Sequence, residues 1–188
     1  VIMSHGDNNG LVLPPKIAPT QVVIIPIAAH KPGVIDKAEE LTQRLCKSFR
    51  VKCDKSDNSA GWKFAEYEMK GVPLRLEIGP KDIENNQCVL VRRDNREKYF
   101  VSLDNLESEI DRLLNELGEA IYNKALKNIE NKTYKCTTID EINDALAKNG
   151  DGFVKAMWCG EEECEDKVKE LTGVGSRCIP FEQENLSD

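Results

Sequence analysis

Apolar positions along the chain fall into two rhythms, and each predicts an element. Gln21-Val22-Val23-Ile24-Ile25-Pro26-Ile27 is a near-continuous β-branched run, as expected for a strand covered on both sheet faces. After Pro32-Gly33, Ile35, Ala38, Leu41 and Leu45 recur at helical spacing, with Lys37, Glu39, Glu40 and Arg44 between them. Arg50 to Cys53 reads as a short strand. A second helix runs from Gly61 to Met69 and is stopped by Gly71 and Pro73. Leu74, Leu76 and Ile78 then alternate with Arg75 and Glu77, the period-two mark of a half-buried strand. Gln87–Arg93 and Lys98–Leu103 flank Asp94-Asn95-Arg96-Glu97 and predict a β-hairpin. Leu106, Ile110, Leu113, Leu117 and Ile121 stripe one long helix, from about 105 to 130. Thr138 to Asn149 predicts another, with Gly150-Asp151-Gly152 as a boundary. Residues 1–20, with Gly6, Gly10, Pro14-Pro15 and Pro19, form a connector carrying at most one short strand, Leu11 to Leu13. The order β-α-β-α-β-β-β-α indicates an α/β fold with a mixed sheet flanked by helices. No internal repeat or low-complexity segment interrupts it.

Composition narrows the function classes. Hydrophobic content of 40% with 31% charged residues is that of a globular chain, and no apolar run reaches the length needed to cross a bilayer. The opening has no basic segment followed by an apolar one, so no signal peptide is expected and the cytoplasm is the expected compartment. It reads as mid-domain sequence, so further chain is expected before Val1. Net charge is −7, against a protein that coats nucleic acid. The distribution says more: residues 1–100 carry 16 Lys+Arg and 13 Asp+Glu, residues 101–188 carry 10 and 20. Any RNA contact is therefore expected in the first half. The seven cysteines are expected to be reduced. Cys46, Cys53, Cys88 and Cys136 sit among apolar residues and read as small core side chains. Cys159-Gly160-Glu161-Glu162-Glu163-Cys164 differs: a C-x4-C is acceptable as half of a tetrahedral zinc site, the alternative being two free thiols in an acidic turn.

No complete active site is visible. His5 and His30 are the only histidines, and no Gly-rich phosphate loop or dinucleotide fingerprint is present. Phe64 and Glu68, four apart, share a helix face, where a ring can stack a splayed base and a carboxylate can accept from its edge. Arg75 lies on the polar face of its strand, and its guanidinium suits guanine O6/N7 or phosphate. Plainer readings stand beside these: Phe64 as a core aromatic, Glu68 and Arg75 as a surface ion pair, and Arg92, Arg93 and Arg96 as charges solvating the hairpin.

Five stretches in register carry a resemblance. His5-Gly6-Asp7-Asn8-Asn9-Gly10-Leu11-Val12-Leu13-Pro14-Pro15-Lys16-Ile17-Ala18-Pro19 is similar to the segment leaving the catalytic core of prolyl-tRNA synthetases. Gln21–Ile27 resembles the first strand of their anticodon-binding domain. Gly61–Pro73 and Arg75–Asp82 resemble two further stretches of that domain, and Ser176-Arg177-Cys178-Ile179-Pro180-Phe181 their C-terminal module. The resemblance, to the archaeal/eukaryotic-type branch, covers the whole chain. It implies a connector at 1–19, a class IIa anticodon-binding domain at 20–125, and a small α+β zinc-binding-type module at 126–188. That module is expected to be cut short before its closing cysteine pair. The resemblance further implies that Phe64, Glu68, Arg75, Asp82 and Lys98 contact the Gly-Gly bases of the proline anticodon, Asp82 from a loop and Lys98 after the hairpin turn. Cys159 and Cys164 would be half of a structural zinc site, with Cys178 not a ligand. The implied whole enzyme is a homodimeric proline–tRNA ligase that uses ATP and magnesium on tRNA(Pro), with its catalytic motifs before Val1. Two alternatives remain open: a non-catalytic interaction module of the same fold, and another class IIa synthetase such as the threonyl or glycyl type.

Overall fold

The computed structural model describes residues 1–183. It divides into two compact units, Val1–Ala125 and a second from Leu126 onward. In the first, a short helix α1 (Ile2–His5) precedes β1 (Val22–Pro26), α2 (Val34–Leu45), β2 (Val51–Cys53), α3 (Ala60–Met69), β3 (Leu74–Ile78), α4 (Pro80–Glu84), β4 (Gln87–Arg92) and β5 (Lys98–Ser102). A 3-10 turn at Leu103–Asn105 leads into α5 (Leu106–Asn131). The sheet runs β2-β1-β3-β4-β5, parallel across the first three strands and antiparallel across the last two pairs. This is the mixed α/β layer that the periodicities predict.

The alternation along each strand divides the core between the two faces. Val22, Ile24, Leu74, Leu76, Ile78, Cys88, Leu90 and Val101 face one way and bury against Ala38, Leu41 and Leu45 of α2 and Leu106, Ile110 and Leu113 of α5. Val23 and Ile25 face the other way, against Tyr67 and Val72, with Phe64 packed at the margin. Cys88 belongs to this core, and burial pushes its thiol up to about 12. Cys136 is also buried and Cys53 half-buried, but Cys46 is exposed, because it caps the C-terminus of α2 where the apolar stripe has ended.

Several expectations change. Leu11–Leu13 does not form a strand: Leu11 and Leu13 donate to the carbonyls of Met69 and Gly71 at 2.9 and 3.2 Å, and a helix end cannot extend into a ladder. Asp82 lies in α4, not in a loop. Pro80 occupies the first helical turn and the Asp82 carboxylate accepts from Gly79 N at 2.9 Å, which starts a one-turn helix. Gly71 follows the last turn of α3 at φ +72°, and a Cβ there would lie 2.7 Å from the Leu11 backbone. Gly71→Ala is therefore expected to cost at least about 1–3 kcal/mol in urea unfolding, from backbone strain alone.

The second unit holds the parallel pair β6 (Thr133–Lys135) and β7 (Phe153–Lys155), with α6 (Ile139–Asn149) and α7 (Glu162–Thr172). Thr138 starts α6 through a capping box with Glu141. The end of the expected C-terminal module, residues 184–188, lies outside the described residues. Among the described residues no helix is long and apolar enough to cross a membrane.

Candidate nucleic-acid interface

Strand register places side chains in rows across the α3 face of the sheet. One row reads Lys52, Val23, Arg75, Val91, Lys98 from β2 to β5. The next reads Ile25, Glu77, Val89, Phe100. Helix α3 covers the β1 end of both rows, whereas Lys98 and Phe100 at the β5 end are exposed. Positive charge is thus set into an apolar row, half under a helix and half open.

α3 is held firmly at both ends. Ser59 accepts from Trp62 N at 3.3 Å. Lys63 is 3% exposed and donates to the Asp54 carbonyl at 3.0 Å, with the Asp54 carboxylate 3.7 Å away. Tyr67 packs beside them, its phenol pushed up to about 12 by burial and by Asp54. At the far end Arg93 donates to the Glu68 carbonyl at 2.7 Å. The helix therefore presents Phe64 and Glu68 from a fixed position.

A small open cleft of about 140 Å3 has Glu68, Arg75 and Lys98 in its lining, with Tyr67, Arg93 and Arg96. Its size suits one planar ring rather than an enclosed metabolite. The Arg75 guanidinium lies 4.1 Å from the Phe64 ring centroid, and its Nε donates to Glu77 at 2.9 Å. Among the described residues no hydrogen bond engages its terminal nitrogens, so the flat cation, backed by the ring, keeps its fork for a ligand. Glu68 pairs with Arg96. The contact is to Oε1, which is buried, so Arg96 already neutralises this carboxylate and a ligand competes with Arg96 for it. Glu68 and Arg75 thus have separate partners and do not form the surface pair that one reading anticipated. Phe64 is half-buried, both a core-margin ring and the backing of Arg75.

Of the five residues singled out by resemblance, the fold gathers Glu68, Arg75 and Lys98 on one cleft and sets Phe64 against Arg75. Asp82 is not in the cleft. It sits beyond the opposite end of β3, its carboxylate capping α4. Sequence reasoning missed two arginine roles and a turn residue. Arg92 and Arg93 are buried rather than solvating the hairpin: Arg92 grips Asp94 at 3.0 and 2.8 Å, and Arg93 grips Asp7 at 2.8 and 2.7 Å. A buried guanidinium requires such a fork-to-carboxylate partner. Arg96 reaches Glu68 from a turn position with φ +62°, for which the sequence carries no signal beyond its charge.

In the second unit, Cys159 precedes α7 and Cys164 lies in its first turn, both exposed. Each thiol acts on the other, so that Cys159 is held below the usual thiol range and Cys164 is raised. Two sulfurs suit zinc in chemistry but cannot close a tetrahedral site. Among the described residues no group of three or more His, Cys, Asp or Glu is placed to hold a metal. Alone, the pair does not fit a bound ion.

Two family descriptions match this chain. Residues 21–113 match "Anticodon binding domain", and residues 139–188 match "Prolyl-tRNA synthetase, C-terminal". The chain belongs to the prolyl-tRNA synthetase family. Across all 188 residues it is 59% identical to a proline–tRNA ligase of Clostridium botulinum (strain Okra / Type B1), 60% to that of Clostridium novyi (strain NT), and 61% to that of Ruminiclostridium cellulolyticum. The chain spans 39% of the length of each of these curated relatives. The first family match encloses the cleft and the second encloses Cys159 and Cys164. The cleft therefore lies within the anticodon-binding domain of this chain.

Proposed function

We propose that the first unit reads the anticodon loop of tRNA(Pro) for a proline–tRNA ligase, the whole enzyme activating proline with ATP and magnesium and transferring it to that tRNA. In this reading the enzyme is cytoplasmic and homodimeric, and Cys159 and Cys164 contribute half of a structural zinc site closed by ligands outside the described residues. One observation carries the reading: Glu68, a carboxylate held by Arg96, lines the same cleft as an arginine with a free fork, Arg75, and an exposed lysine, Lys98. Guanine is the base that offers donors at N1 and N2 beside acceptors at O6 and N7, so this set complements it. Asp82 has no place in the cleft and contacts RNA in this reading only if the loop reaches past the end of β3.

The test is a titration of the full chain with an RNA hairpin carrying the proline anticodon loop, against one with both guanines replaced by adenine. The intact loop is expected to bind at least about tenfold more tightly, since each good bidentate contact contributes roughly 1–3 kcal/mol. Both affinities are expected to fall steeply with salt. Equal affinities for the two hairpins would defeat the proposal.

A further inference from the structure

Phe100 is 72% exposed in the middle of β5. Singly exposed apolar side chains are ordinary, but the surroundings of this one are not. Tyr99 and Val101 turn to the α5 side and join the core, so the pleat sends Lys98, Phe100 and Ser102 to the other face. Phe100 pairs across the ladder with Val89, and Val89 with Glu77, in the row adjoining that of Arg75 and Lys98. Phe100 thus stands about 7 Å along the strand from Lys98, on the open part of the face. That step is comparable to one nucleotide of an extended RNA strand.

Resting on the anticodon reading above, we infer that Phe100 is a stacking platform for a further unpaired nucleobase of the same RNA loop, beside the bases read at Glu68 and Arg75. Every base has a π-face, so this contact strengthens binding without selecting sequence. Lys98, next to it on the same face, supplies the charge for the intervening phosphate. β5 is also an edge strand, and a second copy of the chain could cover it. Charge favours RNA, because Lys98 stands exposed beside Phe100 on this face and also lines the cleft of Arg75, so a phosphate backbone running from the cleft along β5 complements it.

The test compares the unsubstituted chain with Phe100→Ala, Phe100→Trp and Arg75→Ala. Each is titrated with the proline anticodon hairpin and with the hairpin lacking both guanines. Far-UV circular dichroism checks the fold, which removal of an exposed side chain leaves intact. Phe100→Ala is expected to weaken binding of both hairpins by the same factor, about tenfold. Phe100→Trp is expected to restore it. An abasic nucleotide beside the guanines is expected to abolish the difference between Phe100→Ala and the unsubstituted chain. Undiminished affinity in Phe100→Ala, with Arg75→Ala still losing discrimination, overturns the inference and leaves the anticodon reading standing. A changed sedimentation coefficient with unchanged RNA affinity assigns this face to a second copy and also overturns it. If the two hairpins bind the unsubstituted chain equally, the anticodon reading fails and this inference fails with it.

Discussion

Arg75→Ala is expected to reduce affinity for the proline anticodon hairpin by roughly 5- to 150-fold, the range of a lost bidentate base contact, with a much smaller loss for the hairpin lacking both guanines. The asymmetry follows from where Arg75 is held. Phe64 backs its plane and Glu77 takes its Nε, so the remaining donors are fixed in direction before RNA arrives. Preorganised donors lose little entropy on binding, so removing them costs most of what they contribute. Arg75→Lys keeps the charge but loses the plane and the fork, and is expected to recover salt-dependent binding without recovering discrimination. Glu68→Gln tests the acceptor side. The amide replaces one acceptor oxygen with a donor, so discrimination is again expected to fall while the fold survives. Fluorescence anisotropy with both hairpins reads all three variants. Equal losses on both hairpins would place Arg75 among the phosphate contacts.

The second large effect concerns stability. Asp7→Asn is expected to destabilise the chain by about 3 kcal/mol, the low end for breaking a buried ion pair. The low end applies because the Arg93 side chain is 2% exposed while that of Asp7 is 31% exposed. The Arg93 guanidinium beside Asp7 holds its carboxyl well below the usual carboxylate range. Since the folded value is depressed, the stabilisation is fully present above the ordinary carboxylate pKa, about 4, and is lost as pH falls from there toward the depressed value. Urea unfolding of the unsubstituted chain is therefore expected to weaken between about pH 4 and pH 2, and the Asp7→Asn chain less so over that interval. The same substitution bears on the cleft. Arg93 also holds the Glu68 carbonyl, so the connector and the C-terminal end of α3 share one anchor. A modest loss of RNA affinity is expected to accompany the loss of stability. Parallel acid profiles for the two proteins would contradict this assignment.

Elements with a long period were legible in the sequence. The alternation of Leu74, Leu76 and Ile78, and the stripe from Leu106 to Ile121, set β3 and α5 within a residue or two. What escaped is short or lacks a period. β6 and β7 are three residues each, too few to show alternation. α7 buries none of its residues, so no apolar stripe marks it. α4 is five residues, although Gly79-Pro80 followed by Asp82 is a recognisable start. Around the cleft, spacing put Phe64 and Glu68 on one helix face and Arg75 on the polar face of its strand, whereas their meeting on one surface followed only from the resemblance. The burial of Arg93 was not, because its partner Asp7 is 86 residues away. Likewise, nothing local announces that a hairpin-turn arginine will reach back to Glu68. Long-range ion pairs leave no periodic trace.

The most direct measurement is the amide 1H–15N spectrum of the full chain as the proline anticodon hairpin is added. Shifts confined to Phe64, Glu68, Arg75, Val91, Arg96, Lys98 and Phe100, with Leu76, Leu90 and the α5 stripe unmoved, are the result this account predicts. Shifts centred on α2 and α5, on the opposite face of the sheet, would contradict it.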